Sequence, residues 1–153
     1  MIKIGSKVPK LTGTAGDGST LKLADLLGKW TVLYFYPKDN TTGCTREAQD
    51  FRDLHPKFKR RGIQVLGVSR DSARSHANFA DKYDLPFPLI ADTDETWCKA
   101  FDVIREKTLY GRKYMGVDRS TFLIDPNGKL VREWRGVKVP GHAQAVLDAI
   151  PSP

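Results

Sequence analysis

The sequence predicts an α/β fold in which a central mixed sheet is flanked by helices. Segments rich in β-branched and aromatic residues alternate with segments of helical periodicity, which favours a parallel sheet core. Glycine-containing turns predict an antiparallel hairpin near each end of the chain. The 153 residues contain no repeat, low-complexity tract or linker, so a single domain is predicted over residues 1–153.

The first strands are predicted from composition. Residues 11–23, LTGTAGDGSTLKL, hold three glycines between two short apolar flanks and predict a hairpin that turns over residues 15–19. Residues 30–36, WTVLYFY, are mostly β-branched and aromatic, which is typical of a strand buried on both faces. Residues 62–69, GIQVLGVS, predict a second buried strand.

A long helix is predicted between these two strands. Its side chains recur at steps of four, three, four and three residues, which places them on one helical face. These residues are Cys44, Ala48, Phe51, His55 and Phe58. Pro56 has no N–H group, and we therefore expect the helix to kink or split near position 55.

Strand and helix continue to alternate after the second buried strand. Residues 71–85, DSARSHANFADKYDL, predict a helix. Asp71 or Ser72 offers a side-chain oxygen that can cap its first turn. Residues 86–92, PFPLIAD, then predict a short strand.

Residues 93–125 predict a helix, a loop and a strand. Residues 93–103, TDETWCKAFDV, predict another helix, with Thr93 or Asp94 as its cap. Residues 105–116, REKTLYGRKYMG, carry several charges without a clear period, and we interpret them as an irregular basic loop. Residues 120–125, STFLID, predict a further strand.

The C-terminal part predicts a second hairpin and a closing helix. Residues 126–128 form a Pro-Asn-Gly turn, and residues 129–137 pair back on the preceding strand. Residues 142–150 form the last helix. A strand, a turn and a cysteine-headed helix, followed later by a hairpin and a helix, make up the thioredoxin-type arrangement, here preceded by an N-terminal hairpin.

The composition argues against several classes of protein. No apolar run approaches the ~20 residues needed to cross a bilayer. The N-terminal segment lacks the apolar block of a secretory signal. Two cysteines are too few for a disulfide scaffold, so we expect reduced thiols and a cytoplasmic protein.

The formal net charge of +7 raises the alternative of a basic binding or chaperone module. The densest basic cluster, KFKRRG at residues 57–62, falls where the long helix should end. Cations at that position complement the helix dipole. We therefore expect a solvated helix end, with neither nucleic acid nor membrane as a partner.

Cys44 is the first candidate for chemistry. Sites in open α/β sheets form beyond the carboxyl ends of strands, and Cys44 follows the strand that ends at Tyr36. A thiol in the first turn of a helix meets the positive end of the dipole and free N–H groups. Such settings lower thiol pKa values from about 8.5 toward roughly 3.5–7.5, which provides a thiolate nucleophile.

The loop before Cys44 supplies three further candidates. Thr41 stands three residues earlier, close enough to offer its hydroxyl to a molecule that approaches the sulfur. Gly43 has no side chain, so backbone amides there can come near a ligand. Pro37 is suited to cover the pocket and to keep water from the thiolate.

This loop resembles the active-site signature of the peroxiredoxins, Pro-x-x-x-Thr-x-x-Cys, with Pro37, Thr41 and Cys44 at its fixed positions. Further blocks resemble the bacterioferritin-comigratory, or PrxQ, branch of that family. They are VLYFYPKDNTTGCTREAQDF, VLGVSRDS, FPLIADTDETWCKAFDV, YGRKYMGVDRSTFLID and VKVPGHAQAVLDAI. Together these blocks cover nearly the whole chain.

The resemblance implies a thiol peroxidase. Cys44 would attack the O–O bond of hydrogen peroxide or an alkyl hydroperoxide and become a sulfenic acid, while Thr41 would hold the peroxide. Arg119 matches the family's catalytic arginine, whose guanidinium would stabilise the thiolate and the leaving oxygen. The resemblance implies no metal, flavin or other cofactor, and it favours a monomer.

Two resolving cysteines that the branch often carries are absent. The matching positions hold Gln49 and Ala80. We therefore expect a one-cysteine mechanism, in which thioredoxin, glutaredoxin or a small thiol such as glutathione resolves the sulfenic acid. Cys98 is the internal alternative, although a cysteine on a short amphipathic helix is typical of a packed, inert thiol.

Glu47 leaves two interpretations open. It can set the hydrogen bonding of the loop or of the arginine, or it can be a first-turn carboxylate favoured by the helix dipole. A thiol–disulfide oxidoreductase is a poor alternative, because Glu47 stands where a Cys-x-x-Cys motif needs its second thiol. His76 and His142 show no metal-binding spacing with either cysteine, so no metal site is predicted.

Overall fold

The computed structural model describes residues 2–152. The strands are β1 (Thr12–Ala15), β2 (Thr20–Lys22), β3 (Thr31–Phe35), β4 (Gln64–Ser69), β5 (Leu89–Ala91), β6 (Ile104–Leu109), β7 (Arg112–Val117), β8 (Ser120–Ile124) and β9 (Leu130–Trp134). The helices are α1 (Thr42–Arg60), α2 (Ala73–Tyr83), α3 (Thr96–Ala100) and α4 (His142–Ala149), with a 3-10 helix at Leu23–Leu26. Seven strands form one sheet in the order β2-β1-β5-β4-β3-β8-β9, and β6 and β7 form a second.

The large sheet is mixed, as predicted. At its centre β3 pairs in parallel with β4, and β4 pairs in parallel with β5. β8 runs antiparallel to β3 and continues into β9, which forms one edge. The hairpin β1–β2 joins β5 in antiparallel fashion at the other side. The predicted α/β class, with an N-terminal hairpin and a mixed sheet flanked by helices, is confirmed.

Alternation along β3 divides the core into two clusters on opposite faces of the sheet. Val32 and Tyr34 point to the face that α1, α2 and α4 cover. Leu33 points to the face that carries α3. The sheet therefore separates the two cysteines, because Cys44 packs in the first cluster and Cys98 in the second.

α1 runs without a break through Pro56, so the predicted split near position 55 is wrong. Phe51 and Phe58 stand on either side of the proline, and both are fully buried against the sheet. This packing holds both parts of the helix together, although Pro56 cannot donate its own helical hydrogen bond.

Residues 105–116 form most of a β-hairpin, which corrects the predicted irregular loop. β6 and β7 pair in register from one end to the other. Tyr110 and Gly111 both take positive φ angles, as a two-residue hairpin turn requires. The hairpin was concealed in the sequence because its side chains are mostly exposed, so no apolar alternation marks the strands.

α3 begins later than predicted, and neither Thr93 nor Asp94 is its N-cap residue. Asp94 accepts one N–H group of the turn at 3.1 Å. The buried carboxylate of Asp92 does more, because it accepts from the N–H groups of Trp97 and Cys98 at 3.0 and 2.8 Å. Glu95 is the N-cap residue but makes no side-chain cap hydrogen bond, so the carboxylate that satisfies the first N–H groups comes from the residue after strand β5.

The other helices begin and end near their predicted bounds. Ser72 caps α2, as predicted, and its Oγ accepts from the Ser75 N–H at 3.1 Å. At the end of α1, Lys59 points to solvent, while Arg61 donates to the Ile150 carbonyl at 2.7 Å. Among residues 2–152, no helix combines the length and the apolar character that a membrane span needs.

Candidate active site

The loop between β3 and α1 presents Cys44 at the start of a helix. Asn40 takes a positive φ of 63°, a conformation that asparagine adopts more readily than most residues, and turns the chain into α1. Thr41 is the N-cap residue, and its carbonyl accepts the first helical hydrogen bond, from Thr45. The N–H of Cys44 precedes that bond and has no helical acceptor.

The Cys44 side chain is buried and faces a cation. The residue is only 1% exposed. Arg119 Nη2 donates to Cys44 Sγ at 3.3 Å. A guanidinium in this position stabilises negative charge on sulfur, whereas burial alone opposes it.

Glu47 orients Arg119. Arg119 Nη1 donates to Glu47 Oε1 at 2.7 Å, and both side chains are largely shielded from solvent. Burial lowers the pKa of Arg119, but the negative groups of Glu47 and Cys44 outweigh it and raise the pKa overall. The sequence left two roles open for Glu47, and in the structure this residue contacts the arginine.

The Glu47 carboxyl is poorly solvated. Burial raises its pKa from 4.5 to about 7, although the Arg119 guanidinium lowers it in part. Within residues 2–152, its Oε2 atom has no hydrogen-bond partner. Protonation near neutral pH therefore weakens the attraction between Glu47 and Arg119.

Gly43 leaves room for the same guanidinium. A Cβ atom at this position would lie 3.2 Å from Arg119 Nη2, which is tighter than ordinary van der Waals contact. The sequence predicted that Gly43 lets a ligand approach the backbone. In the structure, the group that approaches Gly43 is the arginine that reaches the sulfur.

Thr41 and Pro37 lie in the loop that precedes Cys44. The Thr41 hydroxyl is exposed and donates to the Lys38 carbonyl at 2.9 Å. With its proton engaged there, the oxygen retains lone pairs that can accept a hydrogen bond from a ligand. Pro37 is half-buried between the end of β3 and this loop.

Two further titratable side chains surround Arg119. Burial lowers the pKa of Lys107, whose Nζ donates to the Val117 carbonyl at 2.5 Å. Burial and the charge of Arg119 lower the pKa of His142 to about 4, so it is neutral where it pairs with Thr121 at 2.8 Å. Nothing in the sequence marks Lys107 as a neighbour of Arg119 unless strand β6 is recognised.

Cys98 lies in a different environment on the other face of the sheet. It is fully buried, and its pKa is raised by burial and by the carboxylate of Asp92. The two cysteines of the chain, both within the described residues, are free thiols.

A buried cysteine that meets an arginine at the start of a helix is a setting in which sulfur can act as a nucleophile. The chain belongs to the AhpC/TSA family, whose profile matches residues 4–133. Peroxiredoxin Bcp of Xanthomonas campestris is 53% identical over 140 residues, which make up 92% of this chain and 86% of that protein. Peroxiredoxin Bcp of Bacillus subtilis is 48% identical over 149 residues, or 97% and 95% of the two chains.

Solved structures agree with these relatives. The structure of a PrxQ mutant from Xylella fastidiosa superposes with a TM-score of 0.92 at 45% identity. The match covers 97% of this chain and 94% of the Xylella chain. A structure of Peroxiredoxin Q from Xanthomonas campestris gives a TM-score of 0.87 at 52% identity, with 91% and 88% covered. The chain is therefore a peroxiredoxin, which is a thiol peroxidase. The resemblance to the Bcp, or PrxQ, branch and the thioredoxin-like fold are confirmed.

Proposed function

We propose that Cys44 is the residue of this thiol peroxidase that reacts with the peroxide. The observation that carries the proposal is the hydrogen bond from Arg119 Nη2 to Cys44 Sγ. The thiolate attacks one oxygen of the hydroperoxide, the O–O bond breaks, and the sulfur becomes a sulfenic acid. The other oxygen takes up a proton and leaves as water or an alcohol.

Arg119 acts both before the attack on the peroxide and during it. It stabilises the thiolate beforehand and the charge on the leaving oxygen as the O–O bond breaks. Glu47 keeps the guanidinium aligned, and Gly43 gives it room. Thr41 accepts a hydrogen bond from the O–H of the peroxide through its free lone pairs.

We include hydrogen peroxide and alkyl hydroperoxides among the substrates. The bacterioferritin comigratory protein of Xanthomonas campestris is described by its alkyl peroxide reduction activity, and it is 51% identical. Thr41 is exposed, so the side of the pocket that it borders is open to solvent. An alkyl group can extend in that direction, while Pro37 shields the neighbouring part of the loop.

An external thiol resolves the sulfenic acid in this proposal. Gln49 and Ala80 occupy the positions of the usual internal partners. Cys98 lies across the sheet from Cys44. The external thiol forms a disulfide with Cys44 and releases water, and a second thiol then restores Cys44 by exchange.

The reductant is thioredoxin, glutaredoxin or a small thiol such as glutathione. The setting that fits this chemistry is a reducing cytoplasm, where both cysteines stay reduced. We propose that residues 1–153 act there as a single domain and as a monomer.

Intact mass after oxidation tests the mechanism. The reduced protein is treated with one equivalent of hydrogen peroxide, with and without a sulfenate-trapping reagent. We expect one adduct on Cys44 while Cys98 stays free, and the Cys98→Ser variant gives the same adduct. A loss of two hydrogens that maps to a Cys44–Cys98 disulfide would contradict the one-cysteine mechanism and support the two-cysteine alternative.

A further inference from the structure

A buried polar cluster lies next to the loop that carries the site and has no part in the chemistry above. It joins the end of β3, the start of the loop, the end of β4 and the first turns of α2. Its side chains are Tyr36, Asp39, Ser69, Asp71, Ser75 and His76. Asp39 and His76 form its centre and are almost completely buried.

Both ring nitrogens of His76 are hydrogen-bonded. Its Nε2 atom lies 2.9 Å from the carbonyl oxygen of Ile90, which can only accept, so Nε2 carries a proton. Its Nδ1 atom lies 2.8 Å from Asp39 Oδ2. A hydrogen bond at that distance needs a proton on one of these two atoms.

The Asp39 carboxyl has two further partners. Tyr36 donates its hydroxyl to Oδ1 at 2.6 Å, and Ser75 donates to Oδ2 at 2.8 Å. Both carboxyl oxygens of Asp39 and both ring nitrogens of His76 are therefore engaged in direct hydrogen bonds. The pair joins the loop to α2 through one of these bonds.

A metal ion is the competing explanation of this cluster. Asp39, Asp71 and His76 offer ligand atoms that all lie within 4.8 Å of one another. However, the 2.8 Å contact between His76 and Asp39 has the length of a direct hydrogen bond, which joins the two atoms through a proton. The Asp71 carboxylate is also engaged, since it accepts from the Asp39 N–H at 2.9 Å and from the Ser69 hydroxyl.

The cluster holds the loop at both its side chain and its backbone. Asp39 is tied by its carboxylate to α2 and by its N–H to Asp71. It stands two residues before Thr41 and five before Cys44. The next residue, Asn40, takes the left-handed conformation that leads into α1.

We propose that the Asp39–His76 pair is a positioning device that fixes residues 37–41 in the geometry required for the reaction of Cys44 with peroxide. The inference rests on the proposed function of Cys44. Neither residue touches the sulfur. Both act by holding Thr41 and the helix start in place while α2 supplies the anchor.

Two variants of Asp39 separate position from charge. In Asp39→Asn, the amide can donate to neutral His76 and to Ser75 while its oxygen accepts from Tyr36, so every hydrogen bond is kept without any charge. In Asp39→Ala, all of these bonds are lost. We expect the single-turnover rate constant with hydrogen peroxide to fall about 10- to 100-fold in Asp39→Ala and to stay within about twofold in Asp39→Asn.

Stopped-flow oxidation of the reduced enzyme measures this step apart from reduction by the thiol. Circular dichroism confirms that each variant is folded, and Ser75→Ala, which loses one donor only, is the mild control. An Asp39→Asn variant as slow as Asp39→Ala would overturn the positioning role, because charge itself would then be required. A normal rate in folded Asp39→Ala would overturn it as well.

Nitrogen-15 spectra of His76 test the pair without any activity measurement. In the wild-type protein and in Asp39→Asn, we expect Nε2 of His76 to carry a proton, which its contact with the Ile90 carbonyl requires. In Asp39→Ala we expect the Nδ1 signal to move, because Nδ1 loses its contact with Asp39. An Nε2 atom without a proton, an Nδ1 signal that does not move in Asp39→Ala, or ring signals that shift when zinc is added would overturn the assignment whether or not Cys44 proves to be the reactive thiol.

Discussion

Cys44 and Cys98 are both buried cysteines near the start of a helix, yet their surroundings have opposite charge. Cys44 is 1% exposed and Cys98 is 0% exposed. Cys44 accepts a hydrogen bond from Arg119, whereas Cys98 lies beside the Asp92 carboxylate that caps α3. The guanidinium stabilises a thiolate, and the carboxylate destabilises one.

This comparison shows that burial alone does not identify a reactive or an inert cysteine. Burial opposes the charged form of a thiol, and it is the largest cause of the raised pKa of Cys98. The two sites also differ in the sign of the nearest ionic group and in the free N–H groups at the start of α1. Length matters too, because α3 has five residues and α1 has nineteen, so their dipoles differ.

The largest expected effect comes from removing each thiol in turn. Cys44→Ser should abolish peroxide turnover, because a serine hydroxyl stays protonated and is a weak nucleophile. Cys98→Ser, the matched control, should keep the rate of peroxide reduction. Turnover is measured as loss of peroxide in the presence of excess thiol. Equal activity of Cys44→Ser and the wild type would exclude Cys44 from the reaction.

Removing the cation should make Cys44 resemble Cys98. We expect Arg119→Ala to lower the rate constant for oxidation by about 10²–10³-fold, since the thiolate and the leaving oxygen both lose a fixed donor. Stopped-flow measurements of sulfenic acid formation check this value. Arg119→Lys keeps the charge without the planar fork, so an intermediate rate is expected. If Arg119→Ala slowed only the later reaction of the sulfenic acid with a thiol, this role would be contradicted.

The pH dependence of the oxidation rate should show how far the cation beside Cys44 depends on Glu47. The pKa of Glu47 is raised to about 7, so its carboxyl is ionised above that pH and holds Arg119 most firmly there. The oxidation rate should therefore fall as the pH decreases through 7. Glu47→Gln resembles the protonated carboxyl, so we expect a rate about tenfold lower at pH 8 and the loss of this transition. An unchanged profile in Glu47→Gln would assign the transition to another group.

The smallest effect on activity is expected on the Cys98 side. Asp92→Asn replaces one acceptor oxygen by a donor that faces a backbone N–H, which should lower the free energy of unfolding by about 1–3 kcal/mol. Urea unfolding measures this loss. Peroxide reduction should not change, because Asp92 lies on the face of the sheet opposite Cys44. A parallel loss of activity would reveal coupling between the two faces.

The sequence predicted the elements that carry strong local signals. β3 is buried on both faces and ends in a proline loop, so both its pattern and its end are visible in the composition. Cys44 could therefore be assigned to the first turn of a helix. Arg119 came from the family resemblance alone, because its contact with Cys44 joins residues 75 positions apart.

The first two failures have one physical cause, because tertiary contacts override local preference, whereas the third has another. Pro56 does not end α1 because buried aromatic residues on both sides hold the helix against the sheet. Asp92, which precedes both predicted cap residues, accepts the N–H groups of the first turn of α3. The hairpin β6–β7 exposes most of its side chains, so the strand pairing leaves little trace in hydrophobic pattern.

The near-complete burial of Cys44 has a kinetic consequence for the catalytic cycle. A hydroperoxide needs only a gap of atomic width to reach the sulfur, whereas the sulfur of a reductant protein arrives with a broad surface around it. Under the proposed mechanism, a protein reductant can reach Cys44 only when the start of α1 opens, and this opening has its own frequency. We therefore expect turnover to approach a ceiling set by the opening step as the concentration of such a reductant rises, and this ceiling should be the same for different reductant proteins.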